Sequence, residues 1–231
     1  MAAMDRIMKI ASLYNLNVLE DAAQAFGTRW RGKTCGHHWR YMRVFIFPTK
    51  TLGGYGDGGM IVTNIRVIYE KSLCYRVHGA SSKYYYDYLG YNSRLDELQA
   101  AILNVKLKYI DQSIEKRRKI ATLYMEHLRD LPGIRMPTVK WPHQSVYYVF
   151  NILADKRDAL RNVLKKQYCY SIYYPIPLHL QKCFSYLGCK QGDFPVAESI
   201  SRQILALPIY PELASDEVEY VCQTIHRFYL L

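Results

Sequence analysis

The chain has 231 residues and a formal net charge of +11, from 31 Lys and Arg against 20 Asp and Glu. Half of the residues are apolar and 22% are charged, a globular composition that excludes disorder; no run of about eighteen apolar residues offers a membrane-spanning helix. The six cysteines are scattered without a CxxC pair, and residues 1–9 lack the apolar run of a signal peptide, so the sequence reads as a cytoplasmic chain with free thiols and no metal centre.

Met4 to Tyr14 carries Ile7, Ile10, Ala11 and Tyr14 at helical spacing. Val18–Glu20 is a short strand ending in Asp21, and a polar residue at a strand's carboxyl end is where ligands gather in α/β sheets. Arg31-Gly32-Lys33 reads as a hairpin turn after Thr28–Trp30. Val44–Phe47 is an apolar strand stopped by Pro48. Glycines 53, 54, 56, 58 and 59 follow, demanding backbone freedom or close approach to a ligand. Met60–Thr63 reads as a strand and Arg66–Tyr75 as a helix. Leu95, Leu98, Ile102, Val105 and Tyr109 form an amphipathic stripe, and the helical pattern runs on towards Leu128 until Leu131-Pro132-Gly133.

The rest reads as a smaller α+β unit. It has strands at Val146–Leu153 and Cys169–Tyr174, a helix at Asp155–Gln167, and helices near Val196–Leu205 and Ser215–Tyr229. The predicted organisation is a large domain over residues 1–128, connecting helix included, and a small domain over 129–231. The 22 tyrosines cluster in Tyr84–Tyr91 and Tyr168–Tyr174; such runs suit a pocket wall or an interface, and core packing equally.

Three features belong together: Asp21 at a strand end, Lys50 after a strand and ahead of the glycine loop, and the polar turn Gly90-Tyr91-Asn92-Ser93-Arg94 leading into a helix. They supply what pyridoxal 5'-phosphate requires. A lysine amine forms the Schiff base, and an ionised carboxylate keeps the ring nitrogen protonated.

With these residues the chain resembles the DegT/DnrJ/EryC1/StrS family of nucleotide-sugar aminotransferases. Glu20–Ala25, Pro48-Thr49-Lys50 with Leu52-Gly53, Gly56–Gly59, Gly90–Asp96, Tyr174–His179, Gly192–Pro195 and Leu207-Pro208 match family motifs in order over essentially the whole chain. The resemblance implies an α/β fold of the type I pyridoxal-phosphate transferases, with a mixed-sheet large domain and a small α+β domain. It implies that Lys50 is the Schiff-base lysine and proton shuttle, and Asp21 the partner of the ring nitrogen. Gln24 would lie against the cofactor ring or its hydroxyl, and Asn92 would reach the cofactor phosphate of a neighbouring subunit in a homodimer. Tyr174 and His179 would shape the sugar-nucleotide side, with Arg94 and Tyr85, from the tyrosine cluster, also expected towards substrate. The implied reaction moves an amino group, usually from glutamate, to a keto-sugar nucleotide for surface polysaccharide or amino-sugar synthesis. Relatives that dehydrate replace the Schiff-base lysine with histidine; Lys50 favours transamination.

Two departures stand against this. Family members begin roughly a third of the chain earlier, with strands and a phosphate-binding turn that precede Met1 here, so an open sheet edge, exposed apolar faces and weak cofactor binding are expected. Between Gly36 and Pro48 the family's Gly-Asp pair and Phe-Ser-Phe are replaced, with Phe45 in the place of a phosphate-binding serine. Read one base later, Trp39 into Arg40 must give glycine. Arg40 into Tyr41, Met42 into Arg43 and Phe45 into Ile46 can give aspartate, cysteine and serine. A local frameshift between His37 and Pro48, which resequencing would test, accounts for the difference. An inactive fragment or pseudogene product of the same family is therefore one alternative. A basic nucleic-acid-binding module is the other, although no helix-turn-helix, zinc-finger or RNA-recognition signature accompanies the charge.

Overall fold

The computed structural model describes residues 2–35, 41–139, 143–166 and 174–230, with Tyr41 and Phe45 described by backbone alone. The pair His37-His38, the replaced residues Trp39 and Arg40, and all but the last residue of the strand expected at Cys169–Tyr174 lie outside the described residues. The helices are α1 (Met4–Leu13), α2 (Arg66–Tyr75), α3 (Glu97–Leu107), α4 (Ile110–His127), α5 (Arg157–Lys165), α6 (Pro195–Gln203) and α7 (Ser215–Leu230). The strands are β1 (Leu19–Asp21), β2 (Arg29–Trp30), β3 (Lys33–Thr34), β4 (Tyr41–Ile46), β5 (Gly58–Thr63), β6 (Ala80–Ser82), β7 (Tyr85–Tyr86), β8 (Ile134–Arg135), β9 (His143–Gln144), β10 (Phe150–Ala154) and β11 (Ile204–Leu207). They fall into two compact units, residues 1–114 with 139–148, and residues 115–138 with 149–231; α4 runs from one into the other.

In the first unit β4 is the middle strand of a mixed sheet ordered β1-β4-β5, parallel to β1 and antiparallel to β5. Its alternation gives it two faces. Met42, Val44 and Ile46 are buried, and with Ala22, Cys35, Leu52 and Leu103 they form the core. β1 follows the same period, with Glu20 buried and Asp21 exposed. The sheet's outer strand β5 leaves Met60, Ile61 and Val62 exposed. The segment before residue 149 returns to this unit: β9 pairs with β2, and the rings of His143 and Trp30 lie 4.4 Å apart.

The second unit is built on β10, flanked by β11 and β8, both antiparallel to it. Phe150, Ile152 and Ala154 face inward, and Leu160 and Leu164 of α5 and Val218, Val221, Cys222 and Ile225 of α7 are buried in the same unit. Tyr124 of α4 is fully buried. Its ring stacks on Phe150 at a centroid distance of 5.0 Å, and its hydroxyl donates to the Pro208 carbonyl at 3.0 Å. Burial pushes that phenol well above its ordinary pKa, so it stays a donor. Arg117, also buried, donates to the Ile209 carbonyl at 2.7 Å. Arg157 does the same for the carbonyls of Ser201 and Ile204, tying the start of α5 to the end of α6.

Four readings of the sequence are corrected. The helical run from Leu95 is broken at Lys108-Tyr109, whose amides bond three residues back, a local tightening that ends α3 before α4 begins. The predicted stripe is not the buried face of α3. Leu98, Val105 and Tyr109 are 72%, 56% and 56% exposed, while Leu103 is buried and Leu95 packs on the core. An α3 sequence apolar on more than one side gives the period without choosing the side. The strand expected at Val146–Leu153 begins only at Phe150. Ile204 and Leu205 leave the helix for β11, because β10 offers them a ladder: Leu205 pairs with Ile152 and Ile204 with Leu153.

Candidate functional site

Asp21 closes β1, and the alternation that buries Glu20 turns Asp21 to the open face of the sheet. One carboxylate oxygen accepts the Ala23 amide at 3.1 Å; the other accepts Nη2 of Arg43 at 2.5 Å. The Arg43 hydrogen bond is the main reason the carboxyl sits below the ordinary carboxylate range. Partial desolvation opposes it, and the positive charge of Lys50 adds to it. Asp21 and Lys50 are therefore within each other's electrostatic field. Gln24 is exposed, three residues further along the turn.

Lys50 lies in the turn that follows β4. Its amide donates to the Phe47 carbonyl at 2.9 Å. Gly53 lets the chain fold back on itself there: a Cβ at that position would stand 2.4 Å from the Pro48 carbonyl oxygen. The glycine loop is held from α3, where Gln99 Oε1 accepts the Tyr55 amide at 2.8 Å. The Lys50 ammonium stands 4.4 Å from the centre of the Tyr148 ring, a cation–π distance. The Tyr148 hydroxyl lies 3.5 Å from the Thr49 hydroxyl. Lys50 is thus aimed by a short-range turn and an aromatic ring brought back from far along the chain.

The other expected residues of this unit are carried by different elements. Tyr85 stands on β7 and is 70% exposed. Asn92 bridges to Val77, and Arg94 follows it in the loop before α3; both are exposed. That loop approaches the preceding backbone so closely that a Cβ on Gly90 would lie 2.0 Å from the Gly79 nitrogen.

In the second unit Tyr174 and His179 come together on one cavity of about 500 Å³, with Pro177, Leu178, Phe194 and Ile200 also in its wall. His179 sits in a single 3-10 turn, Leu178–Leu180. Its Nε2 lies 3.1 Å from Oε1 of Glu198, and its ring lies 4.8 Å from the Phe194 ring. The Glu198 carboxylate is buried and also accepts the amides of Gly192 and Phe194, at 2.8 and 3.4 Å. The Gly192 amide, then His179, hold its pKa below the ordinary carboxylate range against the cost of desolvation.

Sequence reasoning did not assign Tyr148, Gln99, Glu198 or Arg43 a place beside the site residues. Only Glu198 left a usable trace, as an acid in the first turn of a helix that opens with Pro195, where it can reach the turn's free amides.

The sequence profile of the DegT/DnrJ/EryC1/StrS aminotransferase family matches residues 1–226. The chain is 46% identical over 232 residues to a pleiotropic regulatory protein of Geobacillus stearothermophilus, covering 99% of this chain and 62% of that protein. It is 40% identical over 226 residues to the dTDP-3-amino-3,6-dideoxy-alpha-D-galactopyranose transaminase of Aneurinibacillus thermoaerophilus, covering 97% of this chain and 61% of that one. Among solved structures it resembles DesV of S. venezuelae, determined in complex with a ketimine intermediate, at a TM-score of 0.95 and 34% identity, over 99% of this chain and 62% of that one. The chain thus spans about three-fifths of the length of these relatives.

Proposed function

The chain belongs to the DegT/DnrJ/EryC1/StrS aminotransferase family, and we propose that it carries the amino-transfer chemistry of a nucleotide-sugar aminotransferase dependent on pyridoxal phosphate. The observation that supports the reading is an ionised carboxylate, Asp21, at the end of β1 and within the electrostatic field of Lys50, which lies in the turn after β4 of the same mixed sheet. These two groups fit the cofactor at its ring nitrogen and its aldehyde. When bound, the cofactor supplies an electron sink for the carbon that gains or loses the amino group.

The protein's own groups then have distinct tasks. Asp21 holds a positive ring nitrogen through charge and a hydrogen bond. The Lys50 amine takes a proton and returns it, and the face of Tyr148 holds that amine while it is charged. Gln24, three residues on from Asp21, meets the ring, and Asn92, exposed on its loop, serves a neighbouring subunit of a homodimer. In the second unit, Tyr174 and His179 meet the nucleotide sugar. Their cavity supplies apolar wall for a sugar or base, and His179 supplies a polar group held in place by Glu198. Arg94 and Tyr85 complete the substrate contacts, glutamate is the amino donor, and the product serves polysaccharide or amino-sugar synthesis. The transaminase name of the Aneurinibacillus relative supports a nucleotide-sugar substrate.

The test is covalent trapping. The chain is incubated with pyridoxal phosphate, reduced with borohydride, digested and mapped. The pyridoxyl mark is expected on Lys50, and Lys50→Ala is expected to lose it. A mark on Lys33 or Lys83 instead would refute the assignment.

A further inference from the structure

The Asp21 carboxylate already has a cation. On β4 the buried residues are Met42, Val44 and Ile46, which leaves Arg43 on the open face; on β1 the same period exposes Asp21. The parallel register pairs Asp21 with Arg43, so the two side chains leave the sheet side by side on one face. The guanidinium bonds one carboxylate oxygen at 2.5 Å while the Ala23 amide bonds the other at 3.1 Å. Each oxygen therefore has a donor before any ligand arrives. A guanidinium stays charged at any pH the protein meets, so protonation cannot remove this competitor. A cationic ring nitrogen approaching Asp21 must share the carboxylate or displace Arg43, and until it does so it meets a like charge.

We propose that Arg43 is a resident counter-ion of Asp21 that competes with the ring nitrogen of pyridoxal phosphate and so weakens the cofactor's hold on this chain. The proposal rests on the reading of Asp21 as the ring-nitrogen partner. Arg43 also belongs to the stretch that departs from the family. The two side chains are 60% and 51% exposed, so the pair is solvent-screened and the effect is modest.

The experiment is a double-mutant cycle read by cofactor affinity. Pyridoxal phosphate is titrated into the unmodified chain, Arg43→Met, Asp21→Asn and the double variant. Because Arg43 is exposed and outside the core, the fold is unaffected. Removing the guanidinium is expected to tighten binding by about two- to fivefold where Asp21 is present, the range an exposed ion pair allows. In the Asp21→Asn background it is expected to change nothing. Equal or weaker binding by Arg43→Met overturns the proposal, as does the same gain in both backgrounds, which would mean simple charge repulsion without competition for the carboxylate. Borohydride mapping of the same samples separates the two levels. A Lys50 mark together with an affinity that is indifferent to Arg43 sinks the competition and leaves the proposed function standing. Absence of a Lys50 mark from every sample sinks both.

Discussion

Asp21→Asn separates what the carboxylate does for the fold from what it does for a cofactor. In the folded chain the Asp21 side chain is half-exposed and its ion-pair partner Arg43 more so, so solvent screens their attraction. The amide oxygen of the introduced asparagine can still accept from Ala23, whose N–H now bonds Oδ1 of the aspartate at 3.1 Å. The expected loss of stability is therefore below about 1 kcal/mol, the upper range for a screened surface pair. That is a fall of roughly 2–4 °C in Tm for a chain of this size. Against the cofactor the loss is larger. A charge-assisted hydrogen bond to a cationic ring nitrogen is worth about 1.5–3 kcal/mol, which is about 10- to 150-fold in Kd. Thermal melting and a pyridoxal phosphate titration on the same preparation at neutral pH measure both quantities. Affinity within about threefold of the parent would refute the assignment of Asp21 to the ring nitrogen. A melting loss several times larger than expected would show a structural role instead.

The second unit should depend on its central strand. Phe150 is fully buried against Tyr124, so Phe150→Ala is expected to cost about 3–5 kcal/mol in urea denaturation, and a loss under about 1 kcal/mol would contradict the packing described. Glu198→Gln keeps the volume and removes the charge that His179 and two amides hold. The folded carboxyl lies below its ordinary value of 4.5, so its contribution to stability is complete above that pH and disappears as pH falls through the lower folded value. The gap between parent and variant in chemical denaturation should thus be widest above pH 4.5 and close on acidification; a gap of constant size would rule out the carboxylate as its source.

Local chemistry made much of this chain legible. The helical spacing of Ile7, Ile10, Ala11 and Tyr14 in α1 and the apolar run that Pro48 stops after β4 lie among neighbouring residues, so a single window of sequence carries them. Lys50 and Asp21 were legible for a similar reason: a strand end, a proline stop and a glycine loop are consecutive residues. What one window cannot hold is a partner. Which side of α3 meets the core was settled by Val44, Ile46 and their neighbours in the same cluster, leaving Leu98 and Val105 outside. Ile204 and Leu205 could continue a helix on propensity alone, and become a strand because β10 offers them a ladder. Tyr148 reaches Lys50, Glu198 reaches His179 and Arg43 reaches Asp21 across separations that only folding closes. The sequence determined which groups could do chemistry; the tertiary structure decided what each one touches, because contact energies are exchanged between segments whose distance along the chain carries no signal of their distance in space.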